Sequence, residues 1–255
     1  MNGMTSAVRQ PAFGSPAKFY VPSFHFDLVK PCYCNSGQLF GQCCANPSAN
    51  QESPNGIHVI KDFIPTAECK RFLRFAEKQK RSWLSVVDTK KTTNNKPVHK
   101  RDSSRITQQV MLGKKQAQAN EWFQAATTQI GQLTSAKPQW FEAPHLLRYG
   151  PGGKYSMHSD SDHFDIASQR FYRFIDRDFS MLIYLNDDFE GGELKFPWLN
   201  YQYTPVAGDL VIFPSNHLYT HESLPIKSRN KYALVSWGAF NGTPRVAQPR
   251  SMIRL

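Results

Sequence analysis

The sequence predicts an α+β protein, mainly β, built as a sandwich or jelly roll with helices laid against it. Three observations predict this. From His145 onward the chain breaks into many short strand-like runs punctuated by Gly and Pro. Two earlier stretches, 66–80 and 114–133, repeat apolar residues at helical spacing. The 255 residues are 40% hydrophobic, which suits one medium-sized domain with a sizeable core plus a small appendage.

The chain opens with an arm, residues 1–27, that mixes Pro, Gly, Ser and aromatics (Phe13, Phe19, Tyr20, Phe24, Phe26) without helical period. An extended arm is expected, docked through those rings. Residues 28–47 hold four of the five cysteines: Cys32, Cys34, Cys43 and Cys44, in PCYCNSGQLFGQCCA. Such clustering in a reducing compartment favours a metal site over disulfides, and four thiolates suit tetrahedral Zn(II). Gly37 and Gly41 permit the tight backbone a small knuckle needs. The C-x-C-x8-C-C pattern, with its Cys-Asn-Ser-Gly start, resembles the SEC-C zinc motif. That resemblance implies a structural zinc that recruits a partner or stabilises a domain edge. Packed or redox-active cysteines are the other reading. A polar linker, 48–56, follows.

The main domain is expected over 57–241. Ile57–Ile64 reads as a strand stopped by Pro65, and Thr66 as the cap of a helix carrying Cys69, Phe72, Leu73 and Ala76 on its apolar side. Cys69 reads as a small core residue. Residues 88–105 read as a basic polar loop without apolar period, either functional or a plain solvated connection. The helix at 114–133 places Ala117, Trp122, Phe123, Ala126 and Ile130 inward. Strands then dominate, interrupted at 161–179 by a charged insertion and ending with Lys231–Phe240. The basic tail, 242–255, is expected to be only partly ordered.

Net charge is +11, concentrated in one segment. Residues 57–141 carry 16 basic and 6 acidic side chains, whereas 142–255 carry 12 of each. That segment suits an acidic protein, an RNA or a ribosomal surface, or serves as a solvated basic face. No apolar run approaches the roughly 20 residues of a membrane span. No apolar leader is visible, so no membrane contact is expected and the cytoplasm is the expected compartment.

The chemistry centres on Arg148–Asp160, RYGPGGKYSMHSD. His158 and Asp160 stand two positions apart, and on a strand such positions share a face. His221, far along the chain, is a candidate third ligand. Two histidines and a carboxylate make the facial triad of non-haem Fe(II) oxygenases.

Five ordered blocks carry a family resemblance: HVIKDFIPTAEC, LLRYGPGGKYSMHSD, RDFSMLIYLNDDFEGGELKF, GDLVIFPSNHLYTHESLPI and KYALVSW. Over Ile57–Phe240 the chain resembles the prolyl 4-hydroxylase group of Fe(II)/2-oxoglutarate dioxygenases. The resemblance implies a double-stranded β-helix, a jelly roll with buttressing helices and iron at its open end. It implies Fe(II), 2-oxoglutarate and O2 as cofactors, ascorbate as reductant, and release of succinate and CO2. His158, Asp160 and His221 then bind iron, His221 coming from a strand near the opposite side of the barrel. His217 competes for that role, but His-x3-Pro-Ile follows His221 as in the family. His163, in the insertion, reads as solvated.

For 2-oxoglutarate the resemblance points to Lys231, with Arg229 as rival, and to Tyr184 and Tyr155. Arg177, Trp237 and Tyr149 fall on the substrate side. Leu194 stands where many relatives have Thr, and the insertion carries Phe164, Phe171, Tyr172 and Phe174. Both departures bear on the substrate rather than the chemistry. The leading expectation is a prolyl residue of a protein that is acidic or RNA-associated. A free amino acid or small metabolite, or a non-enzymatic zinc-knuckle binder, are the alternatives. The Arg/Asn-rich closing motif of nucleic-acid oxygenases is not found.

Overall fold

The computed structural model describes residues 19–20, 28–32, 37–43, 53–93 and 96–255, with side chains left out for 19–20, 87–93 and 96–100. Two antiparallel sheets face one another. The larger runs His58–Ile60, Leu210–Pro214, Phe179–Tyr184, Lys231–Phe240, His145–Tyr149, Gln108–Val110 and Arg81–Trp83 in spatial order. The smaller runs Tyr201–Tyr203, Leu194–Phe196, His221–Ser223, Lys154–His158 and Arg105–Ile106. This is the expected jelly roll, mainly β.

Strand alternation divides the large sheet into two faces. Phe179, Met181 and Ile183 point outward and join Leu210, Ile212, Tyr232 and Leu234 in one buried cluster. Two helices cover that cluster. Helix α1, Thr66–Ala76, contributes Cys69, Phe72 and Ala76, and helix α2, Gln116–Thr134, contributes Ala119, Phe123, Ala126 and Ile130. The alternate residues Ser180, Leu182 and Tyr184 point between the sheets, as do Val211, Phe213 and Ala233. Helices therefore stabilise one side while the other is free to carry polar chemistry.

Several local expectations are revised. The strand after Ile57 spans only His58–Ile60, because the chain turns at Asp62, whose φ is 51°. Thr66 is the first helical residue, preceded by Pro65 in the cap position, with no side-chain cap. In α2 it is Ala119 that is buried, while Ala117 faces solvent. The basic loop at 88–105 is largely a hairpin, Val86–Thr93 against Lys96–Lys100. Its Val and Thr residues are of the types enriched in strands. The insertion is also a hairpin, Asp162–Asp165 against Arg170–Arg173, and Phe19–Tyr20 of the arm adds a third strand to it. Within that hairpin His163 is not solvated: its ring stacks on Phe174 at 3.8 Å, and burial lowers its pKa. Finally, Met252–Arg254 forms a strand against Pro138–Glu142, so this part of the tail is built into the large sheet.

Of the four clustered cysteines, Cys34 and Cys44 lie outside the described residues. Cys32 and Phe40 are buried and Cys43 packs against their cluster, which continues into Ile57, Leu199 and Phe196 of the jelly roll. The knuckle segment thus docks on the domain through Phe40. A Cβ at Gly41 would sit 2.9 Å from the Leu28 carbonyl, so only glycine fits that turn.

No helix among the described residues is long and apolar enough to cross a membrane.

Candidate active site

The pairing of Lys154–His158 with His221–Ser223 sets His158 directly opposite His221, ring centroids 4.3 Å apart. The two histidines are next-strand neighbours in the small sheet, not residues from opposite sides of the barrel as expected. Asp160 follows just past the strand end. Its Oδ1 lies 3.7 Å from His158 Nε2 and its Oδ2 3.7 Å from His221 Nε2. One donor atom from each residue lies within 4.8 Å of the others.

The rings are aimed by the backbone. His158 Nδ1 lies 2.9 Å from the Ser156 carbonyl, and His221 Nδ1 lies 3.0 Å from the Tyr219 carbonyl. A carbonyl can only accept, so each Nδ1 carries the proton and each Nε2 turns its lone pair toward Asp160. Burial and the neighbouring His221 imidazole hold His158 well below its ordinary pKa, which keeps it neutral. Burial alone would raise the Asp160 pKa. His221, His158, Arg177 and the Ser180 hydroxyl outweigh it and hold the carboxyl below its usual range. Two imidazoles that turn Nε2 toward one carboxylate are the donor set that suits Fe(II) and leaves other positions open.

Behind Asp160 stand two serines. Ser180 Oγ donates to Asp160 Oδ2 at 2.7 Å and shares a 2.8 Å hydrogen bond with Ser215 Oγ. The Ser215 carbonyl accepts from the Asp160 and Ser161 N–H groups. Neither serine was singled out in the sequence. Ser180 was findable, since it is the one small polar residue on the inward face of its strand.

Beside the triad, Lys231 is 2% exposed. Its Nζ donates to the Gly192 carbonyl at 2.6 Å and to Ser223 Oγ at 2.5 Å, and lies 4.6 Å over the Tyr149 ring. No carboxylate forms an ion pair with it among the described residues, and burial brings its pKa down to about 7. Gly192, at φ 72°, leaves this room: a Cβ there would meet Ile226 at 2.3 Å and Lys231 at 3.4 Å. Tyr184, fully buried, shares the inward face with Lys231, and burial raises its hydroxyl pKa, reinforced by Tyr203 and Tyr149. Arg229 is exposed and paired with Asp188, away from this pocket. Tyr149, expected on the substrate side, lies beneath the Lys231 ammonium instead.

Tyr155 stacks on His158, centroids 3.6 Å apart, and Arg105 lies 4.5 Å over the outer face of Tyr155. Arg105, at the end of the basic loop 88–105, was not foreseen, and nothing in its sequence context marks it. Arg177 reaches Glu142 in a bidentate pair, 2.5 and 2.9 Å, donates to the Asp160 carbonyl at 3.3 Å, and lies 3.8 Å over Trp237. Its charge is therefore engaged by Glu142, which sequence reading missed because 35 residues separate them. His217 stays out of the triad. Its Nδ1 is held by Asp162 at 2.8 Å and its ring stacks on Phe171.

Residues 144–238 match the 2OG-Fe(II) oxygenase superfamily. The chain carries a 2-oxoglutarate-dependent Fe(II) dioxygenase domain. The matched segment contains His158, Asp160, His221 and Lys231. The dioxygenase is 28% identical over 200 residues to a protein of Acanthamoeba polyphaga mimivirus provisionally named a prolyl 4-hydroxylase, covering 74% of this chain and 76% of that one. Among solved structures it resembles a prolyl hydroxylase of Trichoplax adhaerens bound to a hypoxia inducible factor peptide fragment. There the TM-score is 0.53 and identity 19%, over 72% of this chain and 84% of that one. It also resembles the collagen prolyl hydroxylase of Paramecium bursaria Chlorella virus-1 with 2-oxoglutarate. The TM-score is 0.50 and identity 20%, over 72% and 96% of the two chains. These two likenesses establish the shared fold.

Proposed function

We propose that the dioxygenase hydroxylates a prolyl residue of a protein substrate, with release of succinate and CO2. The observation that carries the chemistry is a buried ammonium, Lys231, without a carboxylate ion-pair partner among the described residues, beside a preformed His158–Asp160–His221 donor set. The prolyl assignment is supported by the likeness to the mimivirus relative.

In this reading His158, Asp160 and His221 hold Fe(II). Lys231 receives the distal carboxylate of 2-oxoglutarate, with Ser223, Tyr149 and Tyr184 around it. Iron with 2-oxoglutarate and O2 supplies the C–H oxidation, and the chain supplies geometry. Ser180 keeps Asp160 turned toward the histidines. Tyr155 walls one side of His158. Arg177, fixed by Glu142, and Trp237 form a flat cationic platform on the substrate side of Asp160. Ascorbate would serve as reductant.

Cys32, Cys34, Cys43 and Cys44 would hold a structural Zn(II) in a knuckle that recruits the target. The Cys32 N–H to Gln38 carbonyl bond, 2.8 Å, and the Phe40 N–H to Lys30 carbonyl bond, 2.7 Å, close the turn this requires. The basic 57–141 segment would favour an acidic or RNA-associated target in the cytoplasm.

The test has two parts. Wild type with Fe(II) should convert 2-oxoglutarate to succinate, and His158→Ala should not; equal turnover refutes the iron assignment. Captured host proteins should carry oxygen on proline, a gain of about 16 Da, and modification confined to a free amino acid refutes the protein substrate.

A further inference from the structure

Beyond the Tyr155–Arg105 stack a cavity of ≈ 340 Å³ opens beside the Arg105–Ile106 strand. Trp83, Leu84, Arg101, Asp102, Arg105 and Ile106 line it. It lies outside residues 144–238, the segment that matches the 2OG-Fe(II) oxygenase superfamily.

Three features show what it fits. Trp83 is 48% exposed, a large aromatic surface left uncovered at the cavity wall. The Arg101 guanidinium lies 5.9 Å from its ring centroid. Arg105 has its Nε buried without a hydrogen-bond partner. Neither arginine forms an ion pair among the described residues. Asp102 does not neutralise them through its Oδ1, which accepts the Ser104 N–H at 2.8 Å and closes its own turn. The cavity also borders a sheet edge, since Arg105–Ile106 is the last strand of the small sheet. An extended polypeptide can pair there through its backbone, which a nucleic acid cannot do.

We propose that this cavity is a specificity subsite for an aspartyl or glutamyl side chain of the substrate. Arg101 and Arg105 bind the carboxylate, and the methylene stem lies on Trp83. The geometry also sets the spacing. Arg105 to Tyr155 is 4.5 Å and Tyr155 to His158 is 3.6 Å, ring to ring. Extended chain advances ~3.3 Å per residue, so the acid falls about two to three residues from the oxidised one. The spacing rests on the prolyl reading, whereas binding of the acid does not.

Fluorescence anisotropy with the full chain tests it. Labelled peptides carry a central proline and a single Glu stepped through about four positions on either side. The expected result is one optimum, two or three residues from proline on one side. There Glu should exceed Gln by about tenfold, the size of a charge-assisted hydrogen bond. Arg101→Glu should reverse the preference toward Lys, and Trp83→Ala should weaken the Glu and Gln peptides alike. Equal binding of Glu and Gln at every position overturns the subsite, as does a Glu preference unchanged in Arg101→Glu. Displacement of the peptide by an equimolar short uridine RNA overturns the peptide assignment. Mass spectrometry on the same peptides separates the two readings: a Glu preference without oxygen gain on proline keeps the subsite and removes the prolyl reading.

Discussion

Lys231 stands directly opposite Tyr149 in neighbouring strands, and its ammonium lies 4.6 Å over the centre of that ring. Among the described residues its contacts are that aromatic face and two neutral oxygens, with no carboxylate in an ion pair, so the pocket is electrostatically unfinished. Burial holds this lysine at about 7, against 10.5 in the unfolded chain. Between those values the unfolded chain binds more protons, so the penalty this group places on folding, greatest below pH 7, fades as pH rises toward 10.5. A bound carboxylate acts in the opposite sense by raising the lysine pKa. Affinity for 2-oxoglutarate should therefore weaken as pH rises above 7, with proton uptake on binding. Calorimetry with Mn(II) in buffers of different ionisation enthalpy would show it. Lys231→Met should bind roughly tenfold more weakly or worse and lose the pH dependence.

The two histidines that follow Phe213 have different jobs. His221→Ala should abolish Co(II) binding, followed by the metal's visible absorption, because one of three donors is gone. His217→Ala should keep Co(II) affinity within about a factor of two. It should still cost roughly 2 kcal/mol of folding stability, since Asp162 loses one of its buried hydrogen bonds. Equal loss of metal in both variants would contradict this division.

Ser180 touches no substrate and acts through Asp160. Ser180→Ala removes the 2.7 Å hydrogen bond and leaves Ser215 without its hydroxyl partner. Metal affinity should fall about tenfold, at the lower end for outer-shell partners. Ser180→Thr, which keeps the hydroxyl, should restore most of it. Unchanged affinity in Ser180→Ala would leave Ser180 a packing residue only.

Arg177 and Glu142 form a largely buried pair. Arg177→Ala strands the Glu142 carboxylate and should cost about 3–5 kcal/mol in denaturant unfolding. The double change Arg177→Met with Glu142→Leu should recover much of that stability while still removing the platform beside Asp160. Recovery of stability together with full activity would exclude a substrate-side role for Arg177.

How much of this was legible in the sequence depended on what kind of signal each residue left. His158 and Asp160 were visible because a two-residue spacing is local, and His221 because Pro225-Ile226 follows at the family's distance. The jelly roll was visible through its short punctuated strands. What stayed hidden was pairing across long separations. His158 and His221 are neighbours because their strands are adjacent, which no window of sequence records. Glu142 reads as an ordinary strand residue until Arg177 folds onto it. The sequence over 86–100 has no apolar alternation, so its strand character left no periodicity to find. The tail strand was missed for a similar reason: Met252–Arg254 is too short to show alternation.

That tail strand gives the metal centre a remote tether. Met252 lies opposite Glu142, Glu142 grips Arg177, and Arg177 donates to the carbonyl of Asp160. A protease that clipped the chain before Met252 would remove no ligand and touch no substrate, yet it would loosen the brace behind Asp160. Loss of activity during storage or purification would then trace to an intact active-site sequence with a frayed edge strand, a lesion that mass measurement of the whole chain reveals and inspection of the ligands does not.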